Sequence, residues 1–340
     1  MLKAYINKVI AFKDLSAAEA EAAMQIIMTG QATPAQIGAY LVALRMKGET
    51  VEEISGSARA MRAQAAHVEV DLNGGSLIDI VGTGGDGSNS FNISTTSAFV
   101  IAGAGRRVAK HGNRAASSRC GSADVLAALG VKIDLTPQQV AECIKQIGIG
   151  FMFAPVFHPA MKHAVGPRRE IGQRTIFNLL GPLTNPAGAT HQLVGVYDPA
   201  LTEPLAKVLA SLGGKAAFVV HGYGGLDALT TSGKNQISHL SGGEVKTYDL
   251  DAAALGLRPA ASSDLNGGDP AENAVILRNL LSGKDSSPRR DVVLLNSAAA
   301  LAAEDGDLQA GLALAEESLR SGAALERLEA LIALSQQQAA

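Results

Sequence analysis

Residues 76–130 read SLIDIVGTGGDGSNSFNISTTSAFVIAGAGRRVAKHGNRAASSRCGSADVLAALG. Leu77–Val81 is a short apolar run with β-branched residues, bounded by Gly75 and Gly82, the pattern of a buried strand. It runs into Gly82-Thr83-Gly84-Gly85-Asp86-Gly87, four glycines in six residues. Glycine is needed where φ must be positive or where a ligand lies too close for a Cβ. Asn92–Thr96 then opens a helix, Ser97–Ala104, with hydroxyl and amide groups crowded at its start. Free N–H groups and the positive end of the dipole make such a start an anion site. A second polar loop follows at Lys110-His111-Gly112-Asn113-Arg114, then Ser117, Ser118 and Ser122 ahead of another helix. Two such loops carrying Lys and Arg suit a ligand with more than one phosphate.

Gly82, Gly84 and Gly87 also spell G-x-G-x-x-G between a strand and a helix, the dinucleotide fingerprint. That reading needs an acidic residue about 20 residues on for a ribose hydroxyl. Ala102–Ala109 offers only Arg106 and Arg107, which would suit a 2′-phosphate. A tight turn with no ligand is the bland alternative, and Asp86 and Asn92 argue against it.

Composition narrows the field. The chain has 340 residues, 47% hydrophobic and 18% charged, with no Trp, which is globular and not disordered. Net charge is −3, with no basic block or aromatic-interleaved stripe, so a general nucleic-acid surface is disfavoured. Cys120 and Cys143 have neither zinc-ligand spacing nor a disulfide framework, which fits a reducing cytosol. Met1–Leu15 lacks a signal-peptide core, and no apolar run reaches the ~18 residues of a membrane helix. A cytoplasmic protein with no membrane partner is expected.

The first 66 residues read as helical. Ser16 with Glu19, Thr33 with Gln36 and Thr50 with Glu53 are successive capping boxes. Gly30 and Gly48 sit where helices should stop, and Pro34 at a first helical position. The apolar stripes are Met24/Ile27/Met28, Ile37/Tyr40/Leu41/Leu44 and Ile54/Ala58/Met61. Such short helices bury little between them, so this surface is expected to meet another part of the chain or a second subunit. From Gly74 on, β-branched runs alternate with Ala-rich segments, the signature of a parallel sheet. Candidate strands are 77–81, 107–110, 149–153, 191–196, 216–221, 236–240 and 292–295. Asp269-Pro270 starts a helix to Leu281, and residues 316–334 supply closing helices. The segment 155–186 interrupts this texture with two helical pieces, His163–Gly172 and Thr175–Leu180. The fold class is therefore α/β: a small N-terminal helical bundle and a larger domain with a mostly parallel central sheet flanked by helices.

The motifs GTGGD, NISTTSAFV, AKHGNRA and GSADVLAALG, in that order, resemble the anthranilate phosphoribosyltransferases of tryptophan biosynthesis. A further match is FAPVFHPAMKHAVGPRREIGQRTIFNLLGPLTNPA, Phe153–Ala187. The resemblance implies transfer of a 5-phosphoribosyl group from phosphoribosyl pyrophosphate (PRPP) to the amine of anthranilate, with Mg²⁺. It also implies a homodimer formed through the helical domain, residues 1–72 joined by helices from about 160–185, beside an α/β domain of residues 73–340. The crossings near Asn73 and 155–190 would act as a hinge over the substrates.

The same resemblance allots the site residues. Gly82, Gly85 and Asp86 would lie under the diphosphate and ribose. Ser90, Asn92, Ile93, Ser94 and Thr95 would hold the diphosphate, with Ser94 also on one Mg²⁺. Lys110, His111, Gly112, Asn113, Arg114, Ala115, Ala116, Ser117, Ser118 and Ser122 would complete the PRPP set. Arg168, ten residues after His158, matches the family's carboxylate-binding arginine, whose planar fork can pair bidentately. Asn113, His111, His158, Pro182 and Gly82 match positions around the aromatic acceptor. An arylamine is neutral near pH 7, so no general base is assigned.

One position departs from the family. Its second metal motif is Asp-Glu after a glycine turn, and here Asp227 is followed by Ala228. Alanine cannot coordinate, so a weaker second Mg²⁺ site is expected, with Asp227 and Ser94 as metal ligands. A nucleoside phosphorylase-like enzyme, and a non-catalytic nucleotide- or nucleic-acid-binding relative, are the alternatives.

Overall fold

The computed structural model describes residues 2–72, 74–115 and 118–338. Four helices open the chain: α1 (Leu2–Ile10), α2 (Ala17–Met28), α3 (Pro34–Lys47) and α4 (Val51–Ala63). The last three each start at a reciprocal capping box, built on Ser16, Thr33 and Thr50, which satisfies two otherwise orphaned N–H groups per helix. Glu53 also serves tertiary structure. Its buried carboxylate accepts from the Leu15 N–H at 2.9 Å and pairs with Lys47 Nζ at 3.0 Å.

The alternating part runs β1 (Leu77–Gly82), α5 (Ile93–Gly103), β2 (Arg107–Gly112), α6 (Ser122–Ala128), α7 (Pro137–Ile147) and β3 (Ile149–Phe153). Then come α8 (Ala154–Phe157), α9 (Lys162–Ile171) and α10 (Ile176–Leu183). They lead to β4 (His191–Gly195), α11 (Thr202–Ser211) and β5 (Ala216–His221). A hairpin of β6 (Lys234–Ser241) and β7 (Glu244–Asp251) precedes α12 (Pro270–Leu281), α13 (Pro288–Leu301), α14 (Leu308–Arg320) and α15 (Ala323–Gln337). Strand order is β3-β2-β1-β4-β5-β6-β7, the first five parallel and the hairpin antiparallel.

Strand periodicity divides the interior in two. Leu193, Phe218 and Val220 face a core shared with α5, α13 and α15, while Val194, Val196, Ala217 and Val219 face a second core. That second core includes α11 and the N-terminal helices, and α9 and α10 pack on α3 and α4. Arg62 of α4 donates to the Leu183 and Leu212 carbonyls, fastening the bundle to both α10 and α11.

Two expectations are corrected and one strand is added. The apolar stripes of α2, α3 and α4 do not form a subunit interface, because Met24, Ile27, Tyr40, Leu41, Leu44, Ile54 and Ala58 are all at most 1% exposed within the chain. Residues 292–295 are not a strand but lie in α13, whose face is buried all round; a short, wholly buried apolar run carries no period that separates helix from strand. Strand β7 is absent from the sequence reading, since EVKTYDLD lies mostly exposed on the sheet edge and reads as polar. The signal for it is Gly242-Gly243, both at positive φ, the residues a tight hairpin demands. Among the described residues no helix is long and apolar enough to cross a membrane.

Candidate active site

The chain runs outward from β1 to β2 and β3, then returns to place β4 on the other side of β1. Ligands of open parallel sheets bind at the carboxyl ends beside such a reversal. Gly82 and Gly195 end β1 and β4 in register, and Asp227 lies against both. A Cβ on Gly82 would stand 2.3 Å from Asp227 Oδ2, and one on Gly195 1.6 Å from the Asp227 carbonyl oxygen. Two missing side chains therefore make the space for Asp227, Gly82 for its carboxylate and Gly195 for its main chain. Asp227 Oδ2 accepts from the Gly84 N–H at 2.6 Å, and Asp86 Oδ2 accepts from the Asp227 N–H at 3.2 Å. Burial, and then the neighbouring Asp86, push the Asp227 carboxyl well above the usual range.

The loop of residues 83–92 separates β1 from α5, far longer than the direct turn of a dinucleotide fingerprint. Gly85 has φ of +72°, open to glycine at no steric cost. Asp86 Oδ1 accepts from the Ser88 N–H at 3.0 Å, and Phe91 donates to the Leu265 carbonyl. Asn92 sits at the N-cap of α5 but does not cap it. Its Nδ2 donates instead to the Cys120 carbonyl at 3.2 Å, across to the second loop. Ile93, Ser94 and Thr95 form the first turn; the Ile93 N–H donates to the Phe91 carbonyl at 2.7 Å, and those of Ser94 and Thr95 lack partners within the helix. The Thr95 hydroxyl donates to Ser122 Oγ at 3.0 Å, joining the starts of α5 and α6.

In the second loop Lys110 is 2% exposed and its Nζ donates to the His111 carbonyl at 3.0 Å. Burial lowers its pKa against the pull of Asp79 and Asp227. Gly112 leaves room for Ser122, whose Cβ would lie 2.9 Å from an added methyl. Asn113 and Ser118 are exposed, and the Asn113 carbonyl takes the Ala123 N–H. Arg114 pairs with Asp124 at 2.8 Å, and Asp124 also takes the Ala115 N–H, so Arg114 shapes the loop. Ser90 pairs with Asn266 as an isolated bridge. Ala116 and Ser117 lie outside the described residues.

The residues expected around the acceptor come from separate segments, and the two histidines among them meet. The His111 and His158 rings are 5.1 Å apart between centroids, and the Nε2 of each is buried without a hydrogen-bond partner among the described residues. Burial, with His158 adjacent, drives His111 down to about 3; burial drives His158 down to about 4. Both are neutral imidazoles near pH 7. The Gly181 carbonyl faces His111, and the next residue, Pro182, is buried with its carbonyl held by Gln192 Nε2 at 3.0 Å. Arg168 of α9 stacks 5.0 Å from the centre of the Phe177 ring, one turn before Gly181 on α10. Burial lowers its pKa, and among the described residues it has no ion-pair partner.

Two contributors escaped the sequence reading. Gly195 gave no signal of its own. Arg174, between α9 and α10, donates to the Gly85 carbonyl and lies 4.0 Å over the Tyr197 ring, so it ties the helical part to the glycine loop; it stood inside the matched segment without a role.

A helical bundle beside a parallel sheet whose carboxyl edge gathers phosphate-ready loops is the architecture of a glycosyl transferase. The sequence profile described as "Glycosyl transferase family, helical bundle domain" matches residues 3–65, and that described as "Glycosyl transferase family, a/b domain" matches residues 74–325. The chain is 58% identical over 335 residues to the anthranilate phosphoribosyltransferase of Moorella thermoacetica, covering 98% of each. The crystal structure of the Thermus thermophilus anthranilate phosphoribosyltransferase superposes with a TM-score of 0.92 at 45% identity, covering 97% of this chain and 99% of that one. The Saccharomyces cerevisiae enzyme in complex with PRPP and Mg gives 0.90 at 32%, covering 99% and 98%. The chain belongs to the anthranilate phosphoribosyltransferase family.

Proposed function

We infer that this chain transfers the 5-phosphoribosyl group of PRPP to the amine of anthranilate, giving N-(5-phosphoribosyl)anthranilate and diphosphate. The observation that supports the assignment to these residues is that the neutral His111 ring, at the end of β2, meets both His158 and the Gly181 carbonyl of α10, the helix on whose Phe177 ring the half-buried Arg168 stacks. The start of α5 supplies N–H groups and hydroxyls for the phosphates. The relatives' shared name supports the same reading.

The C1–O bond of the ribose breaks with its electron pair leaving on diphosphate, and the arylamine lone pair forms the C1–N bond, after which the amine loses a proton to solvent or diphosphate. The α5 N–H groups, Ser94, Thr95 and Lys110 hold and neutralise the departing anion. Arg168 pairs with the anthranilate carboxylate and Pro182 walls the ring. His111 and His158, uncharged, add no positive charge beside the electron-poor C1. The chain's work is positioning and charge stabilisation.

The donor set fits Mg²⁺. Asp86 and Asp227 converge with their charges opposed, and among the described residues there is no cluster of three His, Cys, Asp or Glu that could hold a metal alone. A hard cation that takes few carboxylates plus substrate phosphates suits that arrangement. Asp227 and Ser94 would hold it, and when bound it supplies charge neutralisation for the diphosphate. The Mg in the yeast complex supports this assignment.

Consumption of anthranilate fluorescence, dependent on both PRPP and Mg²⁺, tests the function. Absence of turnover, or phosphorolysis of a nucleoside in its place, would overturn it. A homodimer is proposed through the outer faces of α1, α3 and α9, where Ile10, Val42, Met46 and Val165 are 41–71% exposed. Light scattering at micromolar concentration should return about twice the 34.9 kDa chain mass; a concentration-independent monomer refutes it. The two cysteines are free and buried, which supports the cytosol as its compartment.

A further inference from the structure

Strands β1 and β2 pair through only two residues, Leu77 with Arg107 and Ile78 with Val108, whereas β1 and β4 stay in register for five. Beyond Val108 the backbone ladder between the two strands lapses, and the groups of β2 that would have faced β1 need other partners. Side chains supply them. Asp79 Oδ1 accepts from the His111 N–H at 3.3 Å, and Asn185 Nδ2 donates to the Ala109 carbonyl at 2.9 Å. The same Asn185 Nδ2 group donates to Asp79 Oδ2 at 2.8 Å, and Asn185 Oδ1 takes the Ala187 N–H at 2.9 Å. Asp79 is wholly buried and Asn185 is 4% exposed.

A buried carboxylate is costly unless its lone pairs are satisfied, and a ladder hydrogen bond between backbones would close the same gap without one. Its position explains the arrangement. The wedge sits between the end of β1, which leads into the glycine loop, and the end of β2, which carries His111. On its far side Asn185 closes the α10 segment that supplies Gly181 and Pro182. His111 is held at its N–H by Asp79 and at its carbonyl by Lys110 Nζ, so its main chain is clamped between a carboxylate and an ammonium.

We propose that Asp79, acting with Asn185, is a positioning residue that sets the spacing between the PRPP loop and the anthranilate wall by fixing the His111 main chain and the end of α10. The proposal rests on the phosphoribosyl-transfer reading above. Neither residue touches substrate. They act through His111 and Pro182, and a displacement of a fraction of an ångström there falls directly on the acceptor, where a 1 Å error can cost on the order of 100-fold.

Asp79→Asn keeps the size of the side chain but sets an amide NH₂ against the Asn185 NH₂, forcing one of the two bonds to break. Asn185→Ala removes the wedge from the other side. Both variants, with wild type, are assayed for KM of anthranilate and of PRPP and for melting temperature. Ser318→Ala, a buried hydroxyl bonded to the Val100 carbonyl on the opposite face, is the stability control. The expected result is a rise of about tenfold or more in KM for anthranilate in both variants, with KM for PRPP changed less than about threefold. Ser318→Ala should lower the melting temperature and leave both constants alone. Unchanged KM values in a folded Asp79→Asn or Asn185→Ala, with only the melting temperature lowered, would reduce the wedge to a structural element and overturn the proposal. Active wild type in the same assay separates that outcome from failure of the functional reading; if Asp79→Asn does not fold, Asn185→Ala decides.

Discussion

The two halves of the site are built on opposite plans. The proposed donor half takes most of its groups from one nearly continuous stretch, Gly82 to Thr95, made of glycine, small hydroxyls and backbone N–H groups around the start of α5, with Lys110 and Ser122 added from the second loop. The acceptor half draws His111, His158, Arg168 and Pro182 from four segments and buries two of its rings almost completely. A phosphate is charged on every side and strongly hydrated, so many modest donors on one loop can replace its water. An aromatic acid carries one charge on an apolar plane, so it needs a dry wall and a single cation. A wall must be packed from several elements, while a nest of N–H groups needs only one.

The sharpest division between the halves should come from Arg168→Ala. Its guanidinium stacks on Phe177 and has no ion-pair partner among the described residues, so its charge is open to a ligand carboxylate, and a charge-assisted bidentate pair is among the stronger interactions available. KM for anthranilate should rise on the order of 100-fold, with KM for PRPP almost unmoved. Equal changes in both constants would make Arg168 a structural arginine and erase the division. Gly82→Ala should do the reverse. Its Cβ would collide with Asp227 Oδ2 at 2.3 Å, displacing that carboxylate from the donor half. A fall of roughly tenfold in kcat/KM for PRPP is expected, with a smaller change in KM for anthranilate; an equal loss would show that the halves are one mechanical unit.

Burial of the acceptor half also leaves a pH signature. In the unfolded chain each histidine titrates near its ordinary value of about 6.5. In the folded protein His111 and His158 titrate at about 3 and about 4. Between those limits the unfolded state binds more protons, so stability is intact above about pH 6.5 and falls as pH drops. The slope should approach 1.4 kcal/mol per pH unit for each ring. Denaturant unfolding of wild type and of His111→Gln/His158→Gln between pH 7 and 4.5 measures it. An undiminished slope in the double variant would show that other groups carry the acid sensitivity.

The same contrast explains what was legible in the sequence. The donor loop stood out because its chemistry and its contiguity coincide, and the capping boxes of α2, α3 and α4 because a cap is a local event. His158 and Arg168 came from resemblance alone, since nothing local ties them to His111. Gly195 was silent because its function is to be absent beside Asp227. Asp79 interrupts an apolar strand and was readable as an anomaly, but its partner Asn185 lies 106 positions away. The stripes of the N-terminal helices showed that they would be buried and could not show against what. They pack mainly on one another and on α1, α9 and α10 of the same chain, and α4 also meets α11.

The smallest effect expected concerns Ala228, which belongs to neither half cleanly. It is 9% exposed and packs with Leu226 and Leu229 in the apolar core cluster, directly beside Asp227. Asp227 and Asp86 already oppose one another there. Ala228→Glu would add a third negative group, either forced into apolar surroundings or turned toward the two acids, and both cost stability without a cation. With a divalent cation and the PRPP diphosphate present the same carboxylate becomes a ligand, and Mg²⁺ accepts one or two carboxylates readily when phosphates complete its shell. Two measurements therefore move in opposite directions. The melting temperature of Ala228→Glu should lie below that of wild type in chelator and recover with Mg²⁺ and PRPP together. Calorimetric binding of Mg²⁺ in the presence of PRPP should be several-fold tighter in the variant, with half-saturating Mg²⁺ for turnover lowered in step. Because the substrate supplies most of the oxygen ligands, wild type should reach a similar kcat at saturating metal. Identical Mg²⁺ binding by the two proteins would mean that position 228 cannot reach the metal from its packed location, and that the donor half is complete with Asp86, Asp227 and Ser94 alone.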